Sequence, residues 1–445
     1  MNDIIIRNAM VVSDGRTVLA DVAIHKGVIE RLATEGIGGM SAREELDAQG
    51  LHLLPGVIDD QVHFREPGLT HKDDIASASK AAVAGGITSF MEMPNTVPQA
   101  LTQELLQAKY ERAAACSVAN YSFYMGVGNA NIDQVLRTDP STVCGLKAFL
   151  GSRTGDMVIT DERVLDEVFA RAHMLLAIHA EDDPTIKQEM ERAVARYGAD
   201  IPMEEHPRIR SAEACFRSSS AAVERARHFG TRLHVLHIST AREVDLFEPG
   251  PLEGKRITAE ACVHHLWFTD ADYATKGALI KWNPAVKSAA DRQAVRQAVI
   301  DGRIDVVATD HAPHTLEEKA RPYAQCPSGA PLVQHSLVAM LELVRQGVFT
   351  LEQVVEKMCH APARMFDMDR RGHIREGHFA DLVLVNLNAP WKVTRENLLY
   401  KCGWSPLEGE TFHARVVRTW VNGRMVFDGT SVDTSVRGER LRFLR

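Results

Sequence analysis

The apolar positions of the chain change period twice. Over residues 1–53, short apolar runs alternate with turn residues: Ile4–Ile6, Met10–Val12, Asp21–Ile24 and Val28–Leu32, separated by Ser13-Asp14-Gly15 and Lys26-Gly27. Runs of this length bounded by Gly and Asp predict strands. The texture returns in Ala380–Val385 and Ala414–Trp420, and then in Val421–Phe427, where Asn422-Gly423 marks a tight hairpin. Between these ends the period alternates. Strand-like runs at Val57–Ile58, Thr88–Met93, Tyr121–Val127, Cys144–Phe149, Leu175–His179, Leu233–His237, Thr258–Ala261 and Val306–Thr309 alternate with helical patterns. The helical patterns include Lys72–Ala84, Asp161–Ala172, Ile186–Tyr197, Ala212–Phe229 and Ala289–Ile300. Eight strands with helices between them predict an α/β fold, a parallel sheet closed into a (β/α)8 TIM-type barrel. The expected organisation is a barrel over 54–377, with a small β-sandwich domain built from both termini, 1–53 and 378–445.

A barrel of this kind carries its chemistry at the C-terminal ends of its strands. Polar residues cluster there. Strand one runs from Leu53-Leu54-Pro55-Gly56-Val57-Ile58 into Asp59-Asp60-Gln61-Val62-His63-Phe64-Arg65, and period-2 alternation puts Gln61, His63 and Arg65 on one face. The following strand ends hold Asn95, then Lys147, His179-Ala180-Glu181, His237 and Asp310 with His311 and His314. A lone histidine at a strand end is usually a structural one. Three at matching depth with an aspartate form a ligand set for zinc, and also for Mn²⁺, Fe²⁺ or Co²⁺. Lys147, in mid-strand among apolar neighbours, has two readings: a salt bridge to an acid such as Asp310, or a neutral amine that has taken up CO₂ as a carbamate. Arg65 and Asn95 suit either structural pairing or a substrate carboxylate. Cys144, Cys262 and His264-His265 read as packing, and Glu317-Glu318-Lys319 as a solvated face.

The bulk numbers narrow the partners. The chain has 445 residues, 45% hydrophobic and 25% charged, ordinary for a globular protein, and a net charge of −8 argues against nucleic-acid or anionic-membrane surfaces. No leader and no run long enough to span a bilayer stands out. Seven scattered cysteines fit reduced thiols, so a cytoplasmic location is expected.

These motifs, from Pro55-Gly56-Val57-Ile58-Asp59 and His63-Phe64-Arg65-Glu66-Pro67-Gly68 through Met93-Pro94-Asn95-Thr96 to Thr309-Asp310-His311-Ala312-Pro313-His314, resemble the dihydroorotases of the cyclic amidohydrolase superfamily, close to allantoinases and hydantoinases. The resemblance implies a metal-dependent, reversible hydrolysis of dihydroorotate to N-carbamoyl-aspartate in pyrimidine biosynthesis. It implies one or two Zn²⁺ per chain: His63 and Asp310 for one, helped by position 61, His179 and His237 for the other, and a carboxylated Lys147 between them. Asp310 is then the general base and acid. Arg65, Asn95 and His314 would hold the substrate carboxylate, Asn283 the ring, and backbone N–H groups of Ser328-Gly329-Ala330-Pro331 would complete the pocket. The resemblance also implies a homodimer and admits aspartate transcarbamoylase as a partner. The family has histidine where this chain has Gln61, which offers a weaker ligand; Asp59 or Asp60 is an alternative source of oxygen. Two rival readings are a non-catalytic partner of the transcarbamoylase and an allantoin or hydantoin amidase. The long segment from His311 to Pro331 is a candidate closing loop.

Overall fold

A computed structural model describes residues 1–151, 157–159 and 161–445. The N-terminal region holds β1 (Asn2–Ser13), β2 (Arg16–His25), β3 (Val28–Ala33), β4 (Ala42–Asp47) and β5 (His52–Pro55). The two runs expected at Ile4–Ile6 and Met10–Val12 are one strand, irregular between Ile6 and Ala9, where Asn8 adopts a φ of 54°. The barrel strands follow: β6 (Val57–Val62), β7 (Ile87–Glu92), β8 (Asn120–Phe123), β9 (Met125–Gly126), β10 (Leu146–Leu150), β11 (Leu176–Ala180), β12 (Leu233–Val235), β13 (Ile257–Cys262) and β14 (Val306–Ala308). After them come β15 (Leu382–Asn386), a ribbon of β16 (Trp391–Lys392) and β17 (Thr411–Phe412), and the hairpin of β18 (Arg415–Val421) and β19 (Arg424–Phe427). Asn422 and Gly423 both have positive φ at the hairpin tip, 50° and 73°, as the sharp two-residue turn requires.

Both termini build one sheet in the order β19-β18-β15-β5-β1-β2-β3, with β4 also paired to β1. The apolar run 53–58 divides here. β5 joins this sheet and β6 opens the barrel, with Gly56 between them, where a Cβ would lie 2.0 Å from the Thr88 hydroxyl.

The barrel strands are parallel, β6-β7-β8 in one arc and β9 through β14 in the other. The expected strand Tyr121–Val127 is broken into β8 and β9, which join the two arcs in sequence. A parallel bridge between Val62 and His311, with the His63 N–H on the His311 carbonyl at 2.7 Å, brings the last strand back to the first. A buried apolar cluster of the barrel includes Ile58, Tyr124, Cys144, Val306 and Phe366, and Leu441 and Phe443 pack into it.

The helices follow their caps. Ala212–Phe229 starts on Ser211, whose hydroxyl accepts from Ala214 N, and ends at Gly230 with φ 70°. The helix expected from Lys72 begins instead at Ile75, because the Asp74 carboxylate takes the Ser77 N–H and ends the turn there; Lys72 is free for other contacts. No helix among the described residues is long and apolar enough to cross a membrane. All seven cysteines are free thiols.

Candidate active site

A pocket at the C-terminal ends of the barrel strands is lined by Gln61, His63, Arg65, Asn95, Lys147, His179, His237, Asn283 and Asp310, with Phe149, Trp282, Ala312 and Ser328. Nine of the ten residues singled out in the sequence therefore meet in one place. His314 stands behind Arg65: its Nε2 lies 3.1 Å from the guanidinium and its Nδ1 3.0 Å from Lys72 Nζ.

The half built on β11 and on the turn that follows β12 is the more strongly supported. His179 Nε2 donates to Glu181 Oε2 at 2.9 Å, and Arg210 holds the same carboxylate oxygen at 2.6 Å. That fixes the tautomer: Nδ1 of His179 presents a lone pair, and it faces His237 Nε2 at 3.0 Å. His237 Nδ1 is buried with no hydrogen-bond partner. The expected strand Leu233–His237 ends early, at Val235, because His237 takes a left-handed φ of 43° and turns its ring toward His179. Burial keeps both imidazoles below their usual pKa, and so neutral and able to ligate. Burial opposes the Glu181 charge, but Arg210 and His179 outweigh it and hold that carboxyl down at about 2.

The other half lies on β6 and after β14. His63 Nδ1 donates to Asn95 Oδ1 at 2.8 Å, so its Nε2 lone pair faces Asp310 Oδ1 at 3.1 Å. Two acceptors at that separation are repulsive unless a cation lies between them. The Gln61 amide sends its Nε2 to the same Asp310 oxygen at 3.2 Å and its Oε1 toward the Cys262 thiol at 3.7 Å. Asp310 has a φ of 47°, and its carbonyl accepts from Trp282 Nε1. Strained backbone of this kind clusters at functional sites.

Between the halves, Lys147 Nζ is buried, has no hydrogen-bond partner and sits 4.3 Å over the Phe149 ring. A salt bridge to Asp310 is not formed. Burial pushes this amine down to about 7, against the pull of Glu260 and Asp310, which leaves a large neutral fraction at physiological pH. Imidazole nitrogens of His179, His237 and His63 and the Asp310 carboxylate line one pocket with an unpartnered amine, a donor set of the type that suits divalent metal.

Several expectations need correction. Neither Asp59 nor Asp60 supplies an oxygen to the pocket. Asp59 Oδ2 accepts from Thr309 Oγ1 at 2.6 Å and Oδ1 from the backbone of Gln61 and Thr309, tying the first strand to the last. Asp60 lies among His234 and Glu260 in the barrel interior. In the 328–331 stretch the Gly329 N–H is spent on the Lys281 carbonyl at 2.7 Å. Glu317-Glu318-Lys319 is not a solvated face as a whole. Glu317 is exposed, but Glu318 pairs with Lys72 at 3.0 Å, and buried Lys319 Nζ donates to the carbonyls of Pro327 and Gly329. His264 does pack, stacked on Trp282 at 4.0 Å. Sequence reasoning gave no role to Glu181 or Arg210. Glu181 was visible in principle, two residues after His179 on the same alternating face; Arg210 lies in a connection that no periodicity marks.

Arg65 is 7% exposed; its Nε donates to the Pro313 carbonyl, and its other arm meets His314. No carboxylate among the described residues comes within the 4.0 Å of an ion pair with it. Burial lowers this guanidinium to about 10, with Asp310, Glu92 and Asp73 acting on it from a distance.

Comparison with known proteins agrees with this fold. The amidohydrolase family matches residues 52–426. A dihydroorotase of Halobacterium salinarum is 35% identical over 96% of this chain and 97% of its own, and an allantoinase of Solibacter usitatus is 32% identical over 99% and 97%. Among solved structures, the L-hydantoinase (dihydropyrimidinase) of Arthrobacter aurescens superposes with a TM-score of 0.93 at 26% identity, over 97% of this chain and 98% of that one. The chain belongs to the amidohydrolase family and is an enzyme of the kind that opens cyclic amides.

Proposed function

We propose that this amidohydrolase is a dihydroorotase, interconverting dihydroorotate and N-carbamoyl-aspartate. The observation that carries the reading is Arg65: a buried guanidinium lining the pocket with no carboxylate of the described residues within ion-pair distance. A buried charge without a partner is costly, and an anionic substrate supplies the partner. Allantoin and hydantoin carry no carboxylate. The identities to dihydroorotase and allantoinase, 35% and 32%, are too close to decide between them, so the reading rests on the pocket.

His179 and His237 would hold one divalent ion, His63 and Asp310 with Gln61 another, and Lys147, as its carbamate, would lie between. Bound zinc supplies Lewis acidity and lowers the pKa of water. In the hydrolytic direction the water oxygen bonds to the ring carbonyl carbon and the ring C–N bond breaks. Asp310, in the pocket beside His63, takes the proton of the attacking water and returns it to the departing nitrogen. Arg65 fixes the substrate carboxylate. The buried, unpartnered Asn283 Oδ1 accepts from a ring N–H.

A substrate panel of dihydroorotate, allantoin and hydantoin tests this on protein purified without chelator. We expect dihydroorotate to be preferred. Arg65→Gln should raise its KM by roughly 10- to 100-fold, the worth of a charge-assisted pair, and leave turnover of neutral rings unchanged. Preferred turnover of allantoin or hydantoin by the unaltered protein would overturn the assignment.

A further inference from the structure

We propose that Asp60, His234 and Glu260 form a separate metal centre in the barrel interior, apart from the pocket, holding one divalent ion of the zinc, manganese or iron class. Asp60 comes from β6, His234 from β12 and Glu260 from β13, and all three side chains are wholly buried. One ligand atom from each lies within 4.8 Å of the others, with His234 Nε2 3.4 Å from Asp60 Oδ2 and 3.9 Å from Glu260 Oε2.

The atoms that face one another make no hydrogen bond: both oxygens of Asp60, Oε2 of Glu260 and Nε2 of His234. The remaining atoms of the histidine and the glutamate are committed outward. His234 Nδ1 meets Thr258 Oγ1 at 2.8 Å, which fixes the ring with Nε2 inward. Glu260 Oε1 accepts the His237 N–H at 3.0 Å and the Cys262 thiol at 3.3 Å. Outer contacts holding inner atoms in place are the usual build of a metal site.

Charge points the same way. Two carboxylates in a dry interior, Asp60 with no hydrogen-bond donor and Glu260 with donors on Oε1 alone, are strongly unfavourable as a pair of charges. A proton on His234 balances one of them, and the other must then take up a proton of its own, as the upward push of burial on Glu260 allows. A divalent ion balances both, with the imidazole neutral. One imidazole and two carboxylates suit borderline ions. The Phe366 ring stands edge-on to His234, centroids 6.4 Å apart, and helps seal the site from water.

A second triad, Asp14, His360 and His373, shows what an occupied-by-protein arrangement looks like. There His360 Nδ1 meets the Gly372 carbonyl, its Nε2 accepts the Asp14 N–H, and Arg375 holds the Asp14 carboxylate. Its hydrogen bonds are made and it asks for no ion.

The centre would bear on the pocket through Glu260, which holds the backbone of His237 where that residue takes its left-handed turn. The proposal does not depend on which cyclic amide is the substrate.

The test is anomalous diffraction from crystals of the full chain, grown from protein made in zinc- and manganese-supplemented medium and purified without chelator, with metal content per chain on the same batch. A peak at the metal's edge between Asp60, His234 and Glu260, separate from any peak in the pocket, is the expected result. Asp60→Asn and Glu260→Gln should each carry one equivalent less metal while the pocket peak remains. No peak among the three residues overturns the proposal, as does an unchanged metal content in folded variants; should the variants not fold, the diffraction on the unaltered protein decides.

Discussion

The two halves of the pocket are built from the same kinds of ligand and supported by different kinds of neighbour. Behind His179 stands a carboxylate, Glu181, itself pinned by Arg210. Behind His63 stands an amide, Asn95, and beside Asp310 another amide, Gln61. A carboxylate raises the basicity of the imidazole it touches, and a neutral amide does so far less. The comparison teaches a division of labour. The His179–His237 half is equipped to retain a cation. The Asp310 half has a weaker hold and a carboxylate free to move protons.

The largest effect should come from breaking the stronger half. His237→Asn should lose its metal and bring turnover to background, read by metal analysis and kcat on one preparation. Next is Asp310→Asn, which should cut kcat by about 10²- to 10⁴-fold, the usual worth of a positioned acid–base, while the metal held by His179 and His237 stays. If Asp310→Asn also empties that half, the two are not separable as described. Glu181→Gln is milder: metal affinity should fall by about 10- to 100-fold, as for other outer partners of ligating histidines, and added zinc should restore turnover. An unchanged affinity would remove Glu181 from the explanation.

Much of this site was legible before the fold was. Period-2 alternation put Gln61, His63 and Arg65 on one face, and all three line the pocket. The same alternation in β11 would have placed Glu181 with His179. What sequence could not carry was backbone conformation and long-range partnership. His237 and Asp310 sit at φ 43° and 47°, values that no apolar run encodes, and they end their strands sooner than the pattern predicts. Lys319 looks like part of an exposed charge run, yet its ammonium is buried against loop carbonyls that come together only when residues 281–329 fold. The strand Ala42–Asp47 was missed for the opposite reason: its Arg43, Glu44 and Glu45 are exposed and give it no apolar alternation.

Gln61→His probes the difference between the halves directly and should have the smallest effect. At present the amide points a donor, not a lone pair, at Asp310, 3.2 Å away. It therefore satisfies the carboxylate with a hydrogen bond where a metal would satisfy it with charge. Imidazole in its place brings a lone pair to the same side as His63 Nε2 and removes that competing donor. Zinc prefers imidazole to an amide oxygen. Metal content should rise toward one further equivalent per chain, while kcat changes by no more than about tenfold, since the Asp310 carboxylate and the His179–His237 half are both retained. A variant that gains metal without a large gain in rate would show that the weaker half was already adequate for proton transfer. A variant that gains neither would place the asymmetry in Asn95 and the missing carboxylate behind His63, and Asn95→Asp would then be the substitution that strengthens this half.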